Sequence, residues 1–298
     1  MEQEEYFQKI LKLHKVDNDG EEMKEIQSTK EEVEAIILGN FEDSSPTIRY
    51  GGSKAKNTMI IDSYDLDMVC YFNHNDNSAG TSLKEIYENI KNCFADNYIV
   101  EPKKSAIRLI SKDTKKDLHI DVVPGRYVDD TKTYSYIFQA EGEKERMKTN
   151  LDVHIKNIRD SGLTDVVKLV KLWNIRMGLN LKTFILELLV VKYAKKYKDD
   201  PLSKGLISFW EFLRDHEDFS IEDPANPEGN DLSQILNQDV RQFLSMSASN
   251  VMTLVDNNNL DSIFGSTEPI SGEEKTEAIK TVFAGYSDPP KPWSSSYE

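Results

Sequence analysis

Two carboxylates separated by one residue mark the part of this sequence that is best suited to chemistry. Asp65 and Asp67 lie in GGSKAKNTMIIDSYDLDMVCYF, residues 51–72, where alternating side chains predict a strand that carries both on one face. Adjacent carboxylates repel one another unless a cation lies between them. A divalent metal is the expected cation, so the pair predicts a metal site.

The glycines ahead of this strand predict a second ligand. Gly51 and Gly52 allow the backbone to come close to a bound group, and a short helix is predicted over residues 53–59. Exposed amides at such a turn, where Gly52 and Ser53 lie, are suited to binding phosphate. Carboxylates and turn together indicate a site for a metal and a nucleotide.

A third acid, Asp121, lies in a later apolar segment. Residues 118–123 predict a strand that ends at Pro124 and Gly125. A carboxylate within a short apolar strand is costly to bury without a partner. If this strand lies beside the first one, three carboxylates converge; taken alone, each acid could equally be an exposed residue at a strand end.

Helices and strands that would position these residues are predicted from periodicity. Residues 3–40 predict helix with a break at 17–20, residues 82–97 a further helix, and residues 106–111 a strand. Asn230 and Asp231 are predicted to cap a long helix through Met246. A short helix over residues 275–284 and a loose tail from about residue 286 complete the prediction.

Composition limits the classes of function. The 298 residues are 38% hydrophobic and 30% charged, which predicts a soluble globular chain, and no apolar run approaches the roughly 20 residues of a membrane span. The acidic N-terminus is unlike a signal peptide. Cys70 and Cys93 are predicted to be buried thiols in a reducing compartment. We therefore expect a cytoplasmic protein without membrane contact.

Charge is distributed unevenly along the chain. The net charge of −15 comes from residues 1–45, with 13 acidic and 5 basic side chains, and residues 199–298, with 19 and 6, so the middle carries +6. An acidic chain lacks the broad positive surface of a protein that grips long duplexes or tRNA. A small phosphorylated substrate is the better expectation, bound in the basic middle.

The order of these motifs resembles a known family. G-S, then D-x-D in a strand, then a third Asp in a later strand is similar to the DNA polymerase beta-like nucleotidyltransferases, and within them to the cGAS/DncV-like nucleotidyltransferases (CD-NTases) of bacterial anti-phage signalling and to the oligoadenylate synthetases. The resemblance extends to VVKLVKLWNIRMG, KTFILELLVVKY and IEDPANPEGN, and covers roughly residues 45–250.

Several residue roles follow from the resemblance alone. Lys171 matches the family lysine that neutralises the outer phosphates, with a solvated helix lysine as the alternative. Thr183 and Phe184 match positions for a polar contact and for an aromatic ring that stacks on the base, although a core phenylalanine is equally compatible. Helical periodicity in VVKLVKLWNIRMG places Trp173 on the apolar stripe and predicts that it is a core residue. The segment KTFILELLVVKY is apolar nearly all round, which predicts a buried helix in which Glu187 needs an ion-pair partner.

The resemblance implies an α+β, bilobed fold: a polymerase beta-like core with a mixed sheet over residues 1–150, including an N-terminal spine helix, and a helical lobe over residues 151–298. It implies two Mg²⁺ ions, with Mn²⁺ as a substitute, held by the carboxylates of Asp65, Asp67 and Asp121. ATP, with GTP or UTP, would be joined into a cyclic oligonucleotide.

Partners are also implied. The product would act as a second messenger on a downstream effector that binds it rather than this chain, nucleic acid would not be required, and the protein would be a monomer or be regulated by an accessory protein. The alternatives are a linear oligoadenylate synthetase, a nucleotidyltransferase with another acceptor, and a binding module that has lost its chemistry.

Overall fold

The computed structural model describes residues 2–63, 66–112, 119–140 and 145–267. These residues form a mixed sheet with helices and a helical C-terminal region, which confirms the predicted α+β fold class. The strands are β1 Thr47–Tyr50, β2 Leu66–Phe72, β3 Tyr98–Pro102, β4 Ile107–Ser111, β5 His119–Tyr127, β6 Ser135–Phe138 and β7 Arg146–Thr149.

The helices account for most of the remaining described residues. They are α1 Gln3–Leu13, α2 Glu21–Asn40, α3 Gly52–Lys56, α4 Leu83–Asn92, α5 Leu151–Arg159, α6 Thr164–Arg176, α7 Thr183–Ala194, α8 Leu202–Asp215, α9 Gln238–Asp256 and α10 Asp261–Phe264, with a 3₁₀ turn at Lys195–Tyr197. Residues 3–40 are helical on both sides of the break, as predicted, and α4 begins after Ser82, which forms a capping box with Glu85.

Sheet order brings distant segments together. The main path is β1-β2-β5-β4-β3, with β6 pairing with β5 and β7 pairing with β6. Strands β2 and β5 are parallel, whereas the other pairs are antiparallel. A parallel pair requires a long crossover, and here residues 73–118 provide it. The two strands that carry predicted site residues are therefore neighbours.

One face of β2 forms part of a core under α2 and α4. Met68, Cys70 and Phe72 are fully buried there, as the alternation predicts. Burial raises the pKa of the Cys70 thiol and keeps it protonated. Cys93 is only partly buried, which differs from its prediction, because it lies at the end of α4.

The predicted end of the third-carboxylate strand is wrong. Strand β5 continues through Pro124 and Gly125 to Tyr127, and both residues are buried. Pro124 is opposite Cys70 of β2, but among the described pairs β4 reaches only Val122 and β6 starts at Gly125, so on the other edge of β5 Pro124 has no cross-strand partner. At Gly125 a Cβ would lie 2.6 Å from the Tyr136 carbonyl oxygen, so only glycine allows β6 to pair there.

A second core holds the helical region together. Trp173 and Trp210 are fully buried in it and meet edge to face, which confirms that Trp173 is a core residue. Helix α7 is buried over most of its surface, as its apolar sequence predicts. The first helix joins this core, because Phe7 packs on Trp210 and Phe264. The division at residue 150 stays a prediction.

Three predicted helix boundaries need correction. Helix α4 ends at Asn92 and not at residue 97. The helix after Gly51 ends at Lys56 because Asn57 takes a left-handed conformation, so it is shorter than residues 53–59. The long helix near Met246 is α9, which Asn237 caps by accepting from the Val240 amide; Asn230 and Asp231 lie in the preceding turns. The predictions for residues 275–284 and for the tail from about 286 lie outside the described residues. None of the helices in the described ranges has the length and hydropathy needed to cross a bilayer.

Candidate active site

Two of the three predicted carboxylates lie side by side. In the parallel pair of β2 and β5, Asp67 is the direct partner of Asp121, so both side chains project from the same face of the sheet. Neighbouring strands are about 4.8 Å apart, which places the two side chains within reach of one cation. Asp65 lies outside the described residues and stays a prediction from the sequence.

The glycine turn lies directly against this pair. The Gly51 amide donates to the Asp67 carbonyl oxygen at 2.9 Å, which extends the pairing of β1 with β2 by one residue. A Cβ on Gly51 would lie 3.1 Å from the Leu151 side chain, so a larger residue would require that side chain to shift by a few tenths of an ångström. Gly52, with φ of 67°, then starts α3 in a backbone conformation that glycine adopts readily.

Ser53 has an unsatisfied polar atom at this turn. Its side chain is 4% exposed, and its buried Oγ has no hydrogen-bond partner among the described residues. A buried hydroxyl without a partner is costly and suggests a missing ligand. This is the position that the sequence assigns to a phosphate.

Arg108 is a further member of the site that the sequence analysis missed. It lies opposite Asp121 on β4, and its Nε and Nη2 donate to the two carboxylate oxygens at 2.8 Å each. Its alternation with the buried Ile107 and Leu109 was the available signal, since it places an arginine on the face opposite the core. A forked pair of this kind fixes the plane of the carboxylate.

The donor set is compatible with magnesium. Hard divalent cations prefer carboxylate oxygens, and Asp67 and Asp121 supply them on one face. Each Asp121 oxygen has a second lone pair besides the one that faces Arg108. The described residues contain no group of three His, Cys, Asp or Glu side chains placed for a metal, and Asp65 is not among them.

Lys171 reaches the phosphate turn from the helical region. It is 2% exposed, and its Nζ donates to the Thr58 carbonyl oxygen at 3.1 Å, while the Thr58 amide donates to the Ser53 carbonyl oxygen. The side chain is therefore not a solvated helix lysine. In this structure its ammonium supports the segment after α3, and contact with a phosphate stays a prediction.

Thr183 and Phe184 begin α7, and both are partly buried. The Phe184 ring stacks on His154 of α5, with centroids 5.2 Å apart and an angle of 25° between planes. The Lys56 ammonium lies 5.9 Å from the Phe184 centroid. Phe184 thus lies between α5 and the end of α3, and stacking on a base stays a prediction.

Glu187 has the ion-pair partner that its burial requires. It is 1% exposed, accepts from Lys56 Nζ at 2.7 Å and accepts from the Thr58 hydroxyl at 3.2 Å. Lys56 ends α3 and Glu187 lies in the middle of α7. The pair therefore ties the glycine turn to the helical region from inside the protein.

Comparison with known proteins identifies the fold. No protein-family model matches the sequence, and no curated protein shows significant similarity to it. Among solved structures, CdnC of Escherichia coli MS115-1 in complex with HORMA-deltaN is similar, with a TM-score of 0.68 and 17% identity, over 89% of this chain and 97% of that one. The CD-NTase CdnG of Bradyrhizobium diazoefficiens in complex with GTP gives 0.69 and 13%, over 95% and 98%. The chain has the CD-NTase fold.

A third neighbour extends this likeness. The CdnE cyclic dinucleotide synthase of Elizabethkingia meningoseptica with GTP and Apcpp has a TM-score of 0.58 and 14% identity, over 76% of this chain and 91% of that one. Low identity with high coverage is what a shared fold with divergent side chains produces. The CD-NTase fold therefore accounts for both the sheet and the helical region.

In this CD-NTase fold, the IEDPANPEGN segment fastens the helical region to the sheet. Asp223 is 1% exposed, accepts from Asn230 at 2.7 Å and lies 3.1 Å from His154 Nε2. Asn226 donates to the Lys148 carbonyl oxygen of β7. Burial opposes ionisation of Asp223, but the nearby His154 ring and the hydrogen bonds from Asn230 and the Ala225 amide outweigh it and hold the pKa of Asp223 below its ordinary value.

Asp223→Asn should destabilise the protein at neutral pH by about 2 kcal/mol, because a charged acceptor for several donors is lost. The folded pKa lies below the ordinary value of 3.8, so the carboxylate stabilises the fold above that pH and ceases to do so as pH falls through the folded pKa. Urea denaturation at pH 7 and pH 3 should show a deficit that shrinks in acid. Asp231→Asn, an exposed turn residue, is the control, and an equal deficit at both pH values would contradict the prediction.

A second buried ion cluster precedes the carboxylate strand. Asp62 is 8% exposed, accepts from Arg176 at 3.2 Å and forms a short hydrogen bond with His14. His14 follows α1 and Arg176 ends α6, so three distant segments meet three residues ahead of Asp65 in the chain. This cluster was not foreseen, because each residue taken alone looks like an ordinary surface charge.

Proposed function

We propose that this protein is a CD-NTase, a nucleotidyltransferase that joins ribonucleoside triphosphates into a cyclic oligonucleotide. The observation that carries the proposal is the in-register pair of Asp67 and Asp121 on neighbouring parallel strands. The unpartnered Ser53 hydroxyl beside them supports it as well. Asp65, two residues before Asp67, is assigned to the same carboxylate group from the sequence.

The proposed reaction forms a phosphodiester. A ribose hydroxyl of one nucleotide attacks the α-phosphorus of another; the new bond joins that oxygen to phosphorus, the bond to the β-phosphate oxygen breaks, and pyrophosphate and the hydroxyl proton leave. Two Mg²⁺ ions, or Mn²⁺ in their place, would supply hydroxyl activation and charge neutralisation. Repetition of this step within the same site closes the ring.

The chain's own residues would position these groups. Asp65, Asp67 and Asp121 would hold the cations, and Gly52 and Ser53 would bind the phosphates through amides and a hydroxyl. Lys171 would reinforce the phosphate turn from behind, since it already donates to the Thr58 carbonyl oxygen. Thr183 and Phe184, at the start of α7, would contact the base.

The fold neighbours support the proposed ligands and context. CdnC and CdnG have structures with ATP and GTP, respectively, and CdnC has one with HORMA-deltaN. By this analogy we propose nucleoside triphosphates as substrates and regulation by an accessory protein. A role in anti-phage signalling in the bacterial cytoplasm, through an effector that binds the product, is part of the same proposal.

Mass spectrometry of the products from ATP, GTP, CTP and UTP with Mg²⁺ tests this proposal. We expect a phosphatase-resistant cyclic oligonucleotide without added nucleic acid, because a ring has no terminal phosphate. A phosphatase-sensitive ladder formed only with duplex RNA would indicate a linear synthetase instead. Release of no pyrophosphate from any nucleotide mixture by folded protein, with either metal, would argue for a binding module.

A further inference from the structure

Four residues form a charged row across the sheet. Asp67 on β2 pairs with Asp121 on β5, which pairs with Arg108 on β4, which pairs with Glu101 on β3. Direct cross-strand partners share a face, so the carboxylates of the proposed metal site continue into an arginine and a further acid. The arginine is thus part of the site's electrostatics.

We propose that Arg108 is a built-in counter-ion of the carboxylate site, which holds Asp121 in place without metal and lowers the affinity of the site for a divalent cation. This inference rests on the proposed function, because it concerns the same carboxylates. Arg108 lies outside the G-S, D-x-D and third-Asp motifs, and it would set the concentration of divalent metal at which the carboxylate site fills.

The contact between the two side chains is specific. Arg108 Nε reaches one Asp121 oxygen and Nη2 reaches the other, each at 2.8 Å, and the side chains are only 29% and 21% exposed. Two parallel hydrogen bonds between a planar guanidinium and a planar carboxylate fix the rotamer of the acid. Asp121 therefore has a defined orientation before any cation binds.

Charge explains why such a residue is needed. Asp67 and Asp121 are partners on adjacent strands, and their mutual repulsion would destabilise the sheet in the absence of a cation. A guanidinium stays protonated at any physiological pH, so its charge remains when metal arrives. The arriving cation is then repelled by Arg108 while it is attracted by the acids.

Arg108→Gln and Arg108→Lys separate charge from geometry. Relative to wild type, Arg108→Gln should bind Mn²⁺ roughly tenfold more tightly, the scale of the Coulomb interaction between a unit and a divalent charge a few ångströms apart in a water-like dielectric. Its metal-free melting temperature should fall, and its stabilisation by Mg²⁺ should exceed that of wild type. Arg108→Lys keeps the charge and loses the fork, so its Mn²⁺ affinity should stay within about threefold of wild type while its metal-free melting temperature falls.

Free Mn²⁺ measured by electron paramagnetic resonance and thermal melts with and without Mg²⁺ provide these values without any activity assay. Arg214→Gln is the matched control, because Arg214, near the end of α8 in the helical region, forms the same fork through Nε and Nη2 with Asp215. It should leave Mn²⁺ affinity within about twofold of wild type.

The possible outcomes distinguish the role of Arg108 from the proposed nucleotidyltransferase function. Wild type that binds Mn²⁺, together with an Arg108→Gln variant of equal or weaker affinity, overturns the role of Arg108 and leaves the proposed function intact. If neither wild type nor Arg108→Gln binds Mn²⁺, both the inference and the proposed function are overturned. If Arg108→Gln folds only with Mn²⁺ present, the cation has replaced the guanidinium, as expected; if it does not fold at all, an Arg108→Lys variant with wild-type metal-free melting overturns the inference.

Discussion

Exchange of Asp67 and Asp121 together for asparagine should reduce pyrophosphate release from ATP with Mg²⁺ by at least about a thousandfold, equivalent to roughly 4 kcal/mol of transition-state stabilisation. The two residues are direct partners on β2 and β5, so the exchange removes both described carboxylates of the proposed metal site. Asparagine keeps the size of the side chain. The rate is measured by a coupled pyrophosphate assay with saturating nucleotide.

The control for this variant is Asp130→Asn, which removes a carboxylate that is 94% exposed in the loop after β5. Circular dichroism and the melting temperature should show that all three proteins are folded. Near wild-type pyrophosphate release by the double variant would eliminate the proposed chemistry, because no described carboxylate would then be needed.

Glu187→Ala should cost about 3 to 5 kcal/mol of unfolding free energy, the largest stability effect that we expect from a single exchange. Lys56, whose side chain is only 13% exposed, would lose the carboxylate at 2.7 Å, and the Thr58 hydroxyl would lose its acceptor. An unpaired buried ammonium is much more costly than a paired one. Urea denaturation at neutral pH measures the difference.

Two further variants test whether the loss comes from the stranded charge. Lys56→Met with Glu187→Leu should recover most of the stability, because replacing both partners by apolar residues leaves no buried charge. Glu5→Ala removes an exposed acid paired with Lys9 in α1, and should leave the unfolding free energy nearly unchanged. If Glu187→Ala is as stable as wild type, the ion pair between Lys56 and Glu187 does not stabilise the glycine turn.

Sequence patterns predicted the parts of the site that depend on local order. Alternation was sufficient to place Met68, Cys70 and Phe72 on a buried face and Asp67 on the other, since the direction of a side chain in a strand is set by its neighbours. The apolar sequence of α7 similarly predicted that Glu187 would need an ion-pair partner. In both cases a few consecutive residues contain the necessary information.

Other features could not be predicted, because they depend on which segments become neighbours. The end of β5 was predicted at Pro124 because proline weakens a strand, but β5 passes there from β4 to β6 as its partner and continues to Tyr127. Lys171 is buried because residues 57–59 pack against α6, where the Thr58 carbonyl oxygen accepts from its ammonium. The periodicity of the α6 sequence contains no information about this contact. Domain limits and the roles of Thr183 and Phe184 stay predictions.

The sequence by itself determined the α+β class and the apolar faces of the helices and strands. It also determined that Asp67 and Asp121 lie on the polar faces of their strands. Only the tertiary structure decided that these strands are adjacent and in register, and that Arg108 completes the row beside Asp121. The physical reason is the range of the interactions. Periodicity reflects backbone geometry within one element, whereas strand pairing and ion-pair formation join residues that are distant in the chain and depend on how the whole protein packs.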